Sequence, residues 1–141
     1  MELEGKVWKD DKDPGWLIEV PYLHIMTQGK TRKDALLMIE DAVKLMMEDT
    51  FEGKEFDIII TSYEKNIFGI TCSEPNLLLS FALKRQREMN NITIREAAKR
   101  MGSTYPNTYA RYERGNVHPT IMKYDQLLHA VNPKSHGLFI R

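Results

Sequence analysis

The reading of the fold turns on "MGSTYPNTYARYERG", residues 101–115. Gly102 and Gly115 bracket a run of hydroxyl residues, an Asn, three Tyr and two Arg. Tyr109 and Tyr112 stand three apart, so a helix here puts both on one face. Asn107, Thr108, Arg111 and Arg114 fall on the other. Just upstream, "TIREAAKRM" (93–101) opens with Thr93 and Glu96 in capping-box spacing and ends at Gly102. The small Ala97 and Ala98 allow close approach, so the Tyr face is expected to pack on them and on Met101. Two short helices joined at a glycine and flanked by packing helices form a helix-turn-helix pattern.

That geometry gives the polar face a task. Asn and Arg are the side chains that read adenine and guanine edges in the major groove. Asn107 and Arg111 are therefore expected to carry sequence preference. Thr104, Tyr105, Thr108 and Asn116 are placed to contact DNA beside them, and Arg114, Lys84 and Arg95 to add phosphate affinity. The competing reading is a small helical bundle with a solvated face, and the charge distribution argues against it. Residues 1–74 hold 9 Lys and Arg against 16 Asp and Glu, a net of −7 hidden in a neutral chain. Residues 75–141 hold 11 against 4, a net of +7. So sharp an asymmetry points to a polyanion as partner of the basic half.

Around this core the second half reads as all helix. "LLLSFALKRQREMN" (77–90) is amphipathic, turns basic toward its end and stops at Asn90 and Asn91. "TIMKYDQLLHAV" (120–131) is a further helix, with Pro119 at its start and Asn132 and Pro133 beyond. The tail "HGLFIR" (136–141) is a strand or a dimer contact. Before Pro75 the pattern differs. "LEGKVWK" (3–9), "WLIEV" (16–20) and "LHIMTQ" (23–28) read as strands, the second with Trp16, Ile18 and Val20 on one face. "TRKDALLMIEDAVKLMMED" (31–49) is a helix capped by Thr31, with Ala35, Ile39, Val43 and Met46 as its inner stripe, widened by Leu36 and Ala42. "FDIIITSY" and "NIFGITCS" are two more strands in a hairpin. The fold class is α+β: an antiparallel sheet with one main helix over residues 1–74, then an all-α domain over 75–141.

Residues 78–132, through "TIREAAKRMG", "YERG" and the Pro-led helix, resemble the phage-repressor-like (Xre-type) helix-turn-helix family. The resemblance implies a structural ion pair between Arg87 and Glu113. Gly102 to Glu113 is one residue longer than is usual in that family and contains Pro106. "WLIEVPYLHIMTQGKTRKDALLMIEDAVKLMME" resembles the HicB-type antitoxin domain, through the strand ending at Pro21, Leu23, the Thr27-x-Gly29-x-Thr31 spacing and the helix with Ala35. This resemblance implies a degenerate ribonuclease H-like sheet that occludes a small HicA-like ribonuclease toxin. It also implies repression of the protein's own operon, by a dimer or tetramer on a palindromic operator. Trp16, Tyr22, His24 and Met26, near the strand ends, are the candidate toxin-binding residues.

Other classes fit less well. A ribonuclease H-type enzyme needs carboxylates converging on a metal ion, yet Asp10, Asp11, Asp13, Glu40, Asp41 and Glu48 fall in turns or on the outer helix face. His24, His118, His129 and His136 lack metal-ligand spacing. No Gly-rich phosphate loop occurs. Neither enzymatic activity nor a metal or cofactor is expected. Cys72 reads as a small buried hydrophobe in a strand. With no long apolar run and no signal-peptide pattern, a cytoplasmic protein without membrane association is expected. A second reading remains: a repressor whose first half senses a small ligand.

Overall fold

The computed structural model describes residues 1–134. His136 and the strand or dimer contact expected in the tail lie outside the described residues. The chain divides into two compact units, Met1–Leu78 and a second beginning at Leu79.

The first unit is the expected α+β layer. Strands β1 (Leu3–Lys9), β2 (Trp16–Val20), β3 (Ile25–Gly29), β4 (Ile58–Ser62) and β5 (Ile67–Cys72) form one antiparallel sheet of order β3-β2-β1-β5-β4. Pro21 ends β2 by starting a 3-10 turn, Pro21–Leu23, which His24 closes in a left-handed conformation (φ 53°). Val7 pairs with Ile18, Val20 with Ile25 and Ile70 with Ile60, so branched side chains line one face in register. Helix α1 (Arg32–Thr50) lies on the sheet and buries Ala35, Ile39, Val43 and Met47. Met46, expected inside, is only half-buried. The stripe holds a spacing of four throughout, and that carries the apolar face to Met47. Thr31 caps the helix by accepting from the Asp34 amide at 3.1 Å.

Two glycines set the close approaches in this unit. A Cβ on Gly29 would lie 2.3 Å from the Ala35 amide nitrogen and 2.7 Å from its Cα, so β3 touches the first turn of α1 backbone to backbone. Gly5 faces Phe68 on β5, whose ring occupies the space a side chain would take. Arg32 ties the start of α1 to the β4–β5 turn, donating to the carbonyls of Lys65 (2.9 Å) and Glu64 (3.0 Å) and to the Ser62 hydroxyl (3.0 Å). Cys72 is buried in β5, and burial pushes its thiol pKa up, which keeps it protonated and unreactive.

The second unit is helical. α2 (Pro75–Met89) leads into it, followed by α3 (Ile94–Arg100), α4 (Asn107–Glu113) and α5 (Ile121–Val131). α2 ends in a Schellman closure. Ile92 donates to the Arg87 carbonyl and Asn91 to that of Glu88, with Asn91 left-handed (φ 54°). α3 carries the full capping box between Thr93 and Glu96. It closes the same way, with Ser103 donating to Ala98, Gly102 to Lys99, and Gly102 at φ 84°. α5 starts one step later than expected: Thr120 is its N-cap, accepting from Lys123 at 3.1 Å, and Pro119 stands before the cap. A hydroxyl can accept an orphan amide and a proline ring cannot.

Candidate nucleic-acid interface

The α3–turn–α4 segment is built around two buried tyrosines. Tyr109 and Tyr112 point inward, as do Ala97 and Ala98 on α3, and the two helices are in contact. Helices of seven residues are too short to hold themselves. Polar bonds fix them. Ser80 on α2 donates to the Tyr112 carbonyl at 2.7 Å, and the Tyr124 hydroxyl of α5 donates to the Leu79 carbonyl at 3.3 Å. Arg100 reaches the Ala130 carbonyl at 3.2 Å.

One charged cluster anchors the end of α4. Arg87 meets Glu113 in bidentate fashion, Nε to Oε1 at 2.6 Å and Nη2 to Oε2 at 3.2 Å. Its Nη1 donates to the Ile92 carbonyl at 3.0 Å. The two side chains are only 13% and 10% exposed, so this is an interior pair. The Tyr109 hydroxyl donates to the same Glu113 oxygen at 2.6 Å. Burial first, and the Glu113 charge second, push the Tyr109 pKa far up, so it stays a neutral donor. Burial alone would lower the Arg87 pKa, but the hydrogen bonds and charge of Glu113 outweigh it and raise it. Tyr109 and Glu113 are four apart on α4, so the third member of the cluster was present in the sequence as helical spacing.

The outer side of α4 is polar. Asn107, Arg111 and Arg114 are exposed. Arg114 Nη2 donates to Asn107 Oδ1 at 2.7 Å. Arg111 instead lies over the Tyr112 ring, 5.0 Å from its centroid, with Nη2 3.2 Å from the Tyr112 hydroxyl. Thr108 is half-buried, and its hydroxyl is 2.8 Å from that of Ser103, which also accepts from the Tyr105 amide at 3.1 Å. Thr108 thus holds the turn that leads into α4. Pro106 occupies the N-cap position without a side-chain cap. Thr104 and Asn116 are exposed, and Tyr105 stands 75% exposed on the same turn. Exposed Arg95 and Lys99 on α3 add positive charge.

The candidate residues of the first unit lie along its β2–β3 edge but are not brought together: Trp16 opens the hairpin opposite Gly29, and Tyr22 and His24 sit in the turn at its other end. His24 and Met26 are exposed, whereas Trp16 and Tyr22 are half-buried. Trp16 pairs with Gly29 at the sheet margin, and burial pushes the Tyr22 pKa up to about 12. The sheet face opposite α1 carries Trp8, Leu17, Met26 and Ile59, all half-buried or exposed. A cleft of about 270 Å³ is lined by Asp10, Asp13, Trp16, Gln28 and Lys30 among others, and of the four candidates it includes Trp16 alone. Among the described residues, no group of His, Cys, Asp and Glu could hold a metal ion, and no helix is long and apolar enough to cross a membrane.

Residues 83–138 match the helix-turn-helix family model. The match spans the α3–α4 pair and supports a DNA-binding transcriptional regulator. No curated protein and no solved structure matches the chain. The HicB-type resemblance of the first half finds no support in these comparisons.

Proposed function

We propose that this protein is an antitoxin-type repressor. Its helix-turn-helix unit binds a palindromic operator as a dimer, and its acidic unit binds and occludes a small basic ribonuclease. One observation carries the DNA-binding part: α4 hides both its tyrosines and turns Asn107, Arg111 and Arg114 outward, within a segment that matches the helix-turn-helix family. A dimer would set two such helices roughly 34 Å apart, one turn of DNA.

The toxin-binding part draws on the charge of residues 1–74, a net of −7, together with exposed Met26 and half-buried Leu17 and Trp8 on the sheet face opposite α1. An acidic surface speeds association with a cationic partner and competes with that partner's RNA. Inhibition is by coverage, without chemistry at the first unit.

The test is a pull-down of the tagged protein from its native locus. The expected result is a stoichiometric small basic protein whose ribonuclease activity disappears when this chain is added. If no such partner is captured while the protein binds its own upstream DNA, the antitoxin reading falls and repression stands alone.

A further inference from the structure

We infer that Asn107 and Arg114 work as one donor-rich unit that reads guanine in the major groove. The inference rests on the DNA-binding reading above and names the base it selects.

The two residues are seven apart on α4 and its C-cap, about two turns, so they share a face. Helical side chains lean toward the N-terminus. The guanidinium of Arg114 therefore reaches back along the outer face and donates to Asn107 Oδ1 at 2.7 Å. The amide's orientation follows from the chemistry. A guanidinium has donors and no acceptor, so only the amide oxygen can meet it.

This contact changes what Asn107 can recognise. To read adenine, an Asn must accept from N6 and donate to N7. With Arg114 on its oxygen, an approaching adenine amino group would meet the guanidinium's own N–H edge. The pair instead presents the Asn107 amide nitrogen beside a cationic donor edge. Guanine, with N7 and O6 side by side as acceptors, is the complementary base. Arg111 is drawn away toward Tyr112, which suits it to a phosphate rather than a base edge. Asn107 is thus a positioning residue for Arg114 as well as a donor.

The test is selection of duplexes from a random pool by the full chain, followed by binding measurements on the selected site. The expected site contains a guanine in each half. Replacing it with 7-deazaguanine, which lacks only the N7 acceptor, should weaken the wild type about 10-fold and leave Arg114→Ala unchanged. Arg114→Ala and, to a lesser degree, Asn107→Ala should flatten preference at that position, while Arg111→Ala should weaken all duplexes alike. Both altered positions in the pair are exposed, and their thermal melts should match the wild type. Three outcomes overturn the inference: an adenine preference lost in Asn107→Ala, an Arg114→Ala that loses affinity equally on every sequence, or indifference to 7-deazaguanine. A wild type that selects no duplex at all removes the regulator reading, and this inference with it.

Discussion

The two units of this protein solve the same problem with different materials. Between β1 and β5 the buried side chains are all apolar, and charged groups stay at turns, on the helix surface and on the sheet face opposite α1, as Lys6 and Glu19 do. The helical unit instead encloses Ser80, Gln86 and the Arg87–Glu113–Tyr109 cluster. Element length accounts for the contrast. A 19-residue helix on a five-stranded sheet is fixed by a continuous apolar face. Two 7-residue helices expose too little area for that, and directional bonds must set their mutual angle.

Glu113→Ala strikes the polar core of the helical unit directly. It leaves a buried guanidinium without its counter-charge and Tyr109 without its acceptor. The expected loss is about 3–5 kcal/mol in denaturant unfolding of the helical unit. A loss below about 1 kcal/mol would mean the pair is effectively solvated.

Gly29→Ala tests the other side. Its Cβ would meet the backbone of α1, which cannot yield as a side chain can. The sheet unit should lose about 1–3 kcal/mol, read by amide exchange, with protection of α3 and α4 unchanged. Equal loss in both units would show that they do not differ in this way.

Alkaline titration tests the Tyr109 cluster next, over a slope of the same sign that Tyr22, with its pKa pushed up to about 12, gives the sheet unit. The Tyr109 pKa is raised in the folded chain, so its contribution is fully present below about pH 10, where native and unfolded tyrosine both hold the proton. Above that the unfolded chain ionises first and stability falls, by up to ~1.4 kcal/mol per pH unit from this one group. Tyr109→Phe should flatten that part of the curve. An unchanged slope would place the alkaline transition elsewhere.

The smallest effect lies at the caps. Thr93→Ala removes half of a reciprocal box from a seven-residue helix and should cost about 1 kcal/mol. Thr31→Ala removes one bond from a helix that packing already fixes, and its melting temperature should move less. The reverse order would make the caps independent of helix length.

Much of this was legible in the sequence because it rests on local chemistry. The capping box of Thr93 and Glu96, the stop at Gly102 and the inward Tyr109 and Tyr112 are all contained within a few residues. The five strands and α1 followed from alternation and helical period. What escaped depends on distance or on choices between neighbours. Met47 rather than Met46 completes the α1 stripe because one step in phase is decided by the sheet beneath. Thr120 caps α5 in place of Pro119 because cap geometry outranks the proline's preference. Ser80 meeting the Tyr112 carbonyl, 32 residues away, left no periodic trace. The 26-residue separation of Arg87 and Glu113 came into view through family resemblance alone. Trp16 and Tyr22 are less exposed than their positions at strand ends suggested. The bond between Asn107 and Arg114 could have been anticipated, since a spacing of seven repeats a helix face.

The strand order carries a consequence for how the chain folds. β1 lies at the centre of the sheet, and its neighbour β5 begins about sixty residues later, with Leu3 opposite Ile70. The hairpins β1–β2, β2–β3 and β4–β5 close over short loops and can form early. The seam between Leu3–Lys6 and Ile67–Ile70 requires closure of nearly the whole first unit. During synthesis β1 therefore waits, one edge unpaired, until residue 72 has been made. A nascent chain halted between α1 and β4 exposes the strand that will later be the middle of the sheet, and this edge is the surface a chaperone or a second nascent copy would meet first.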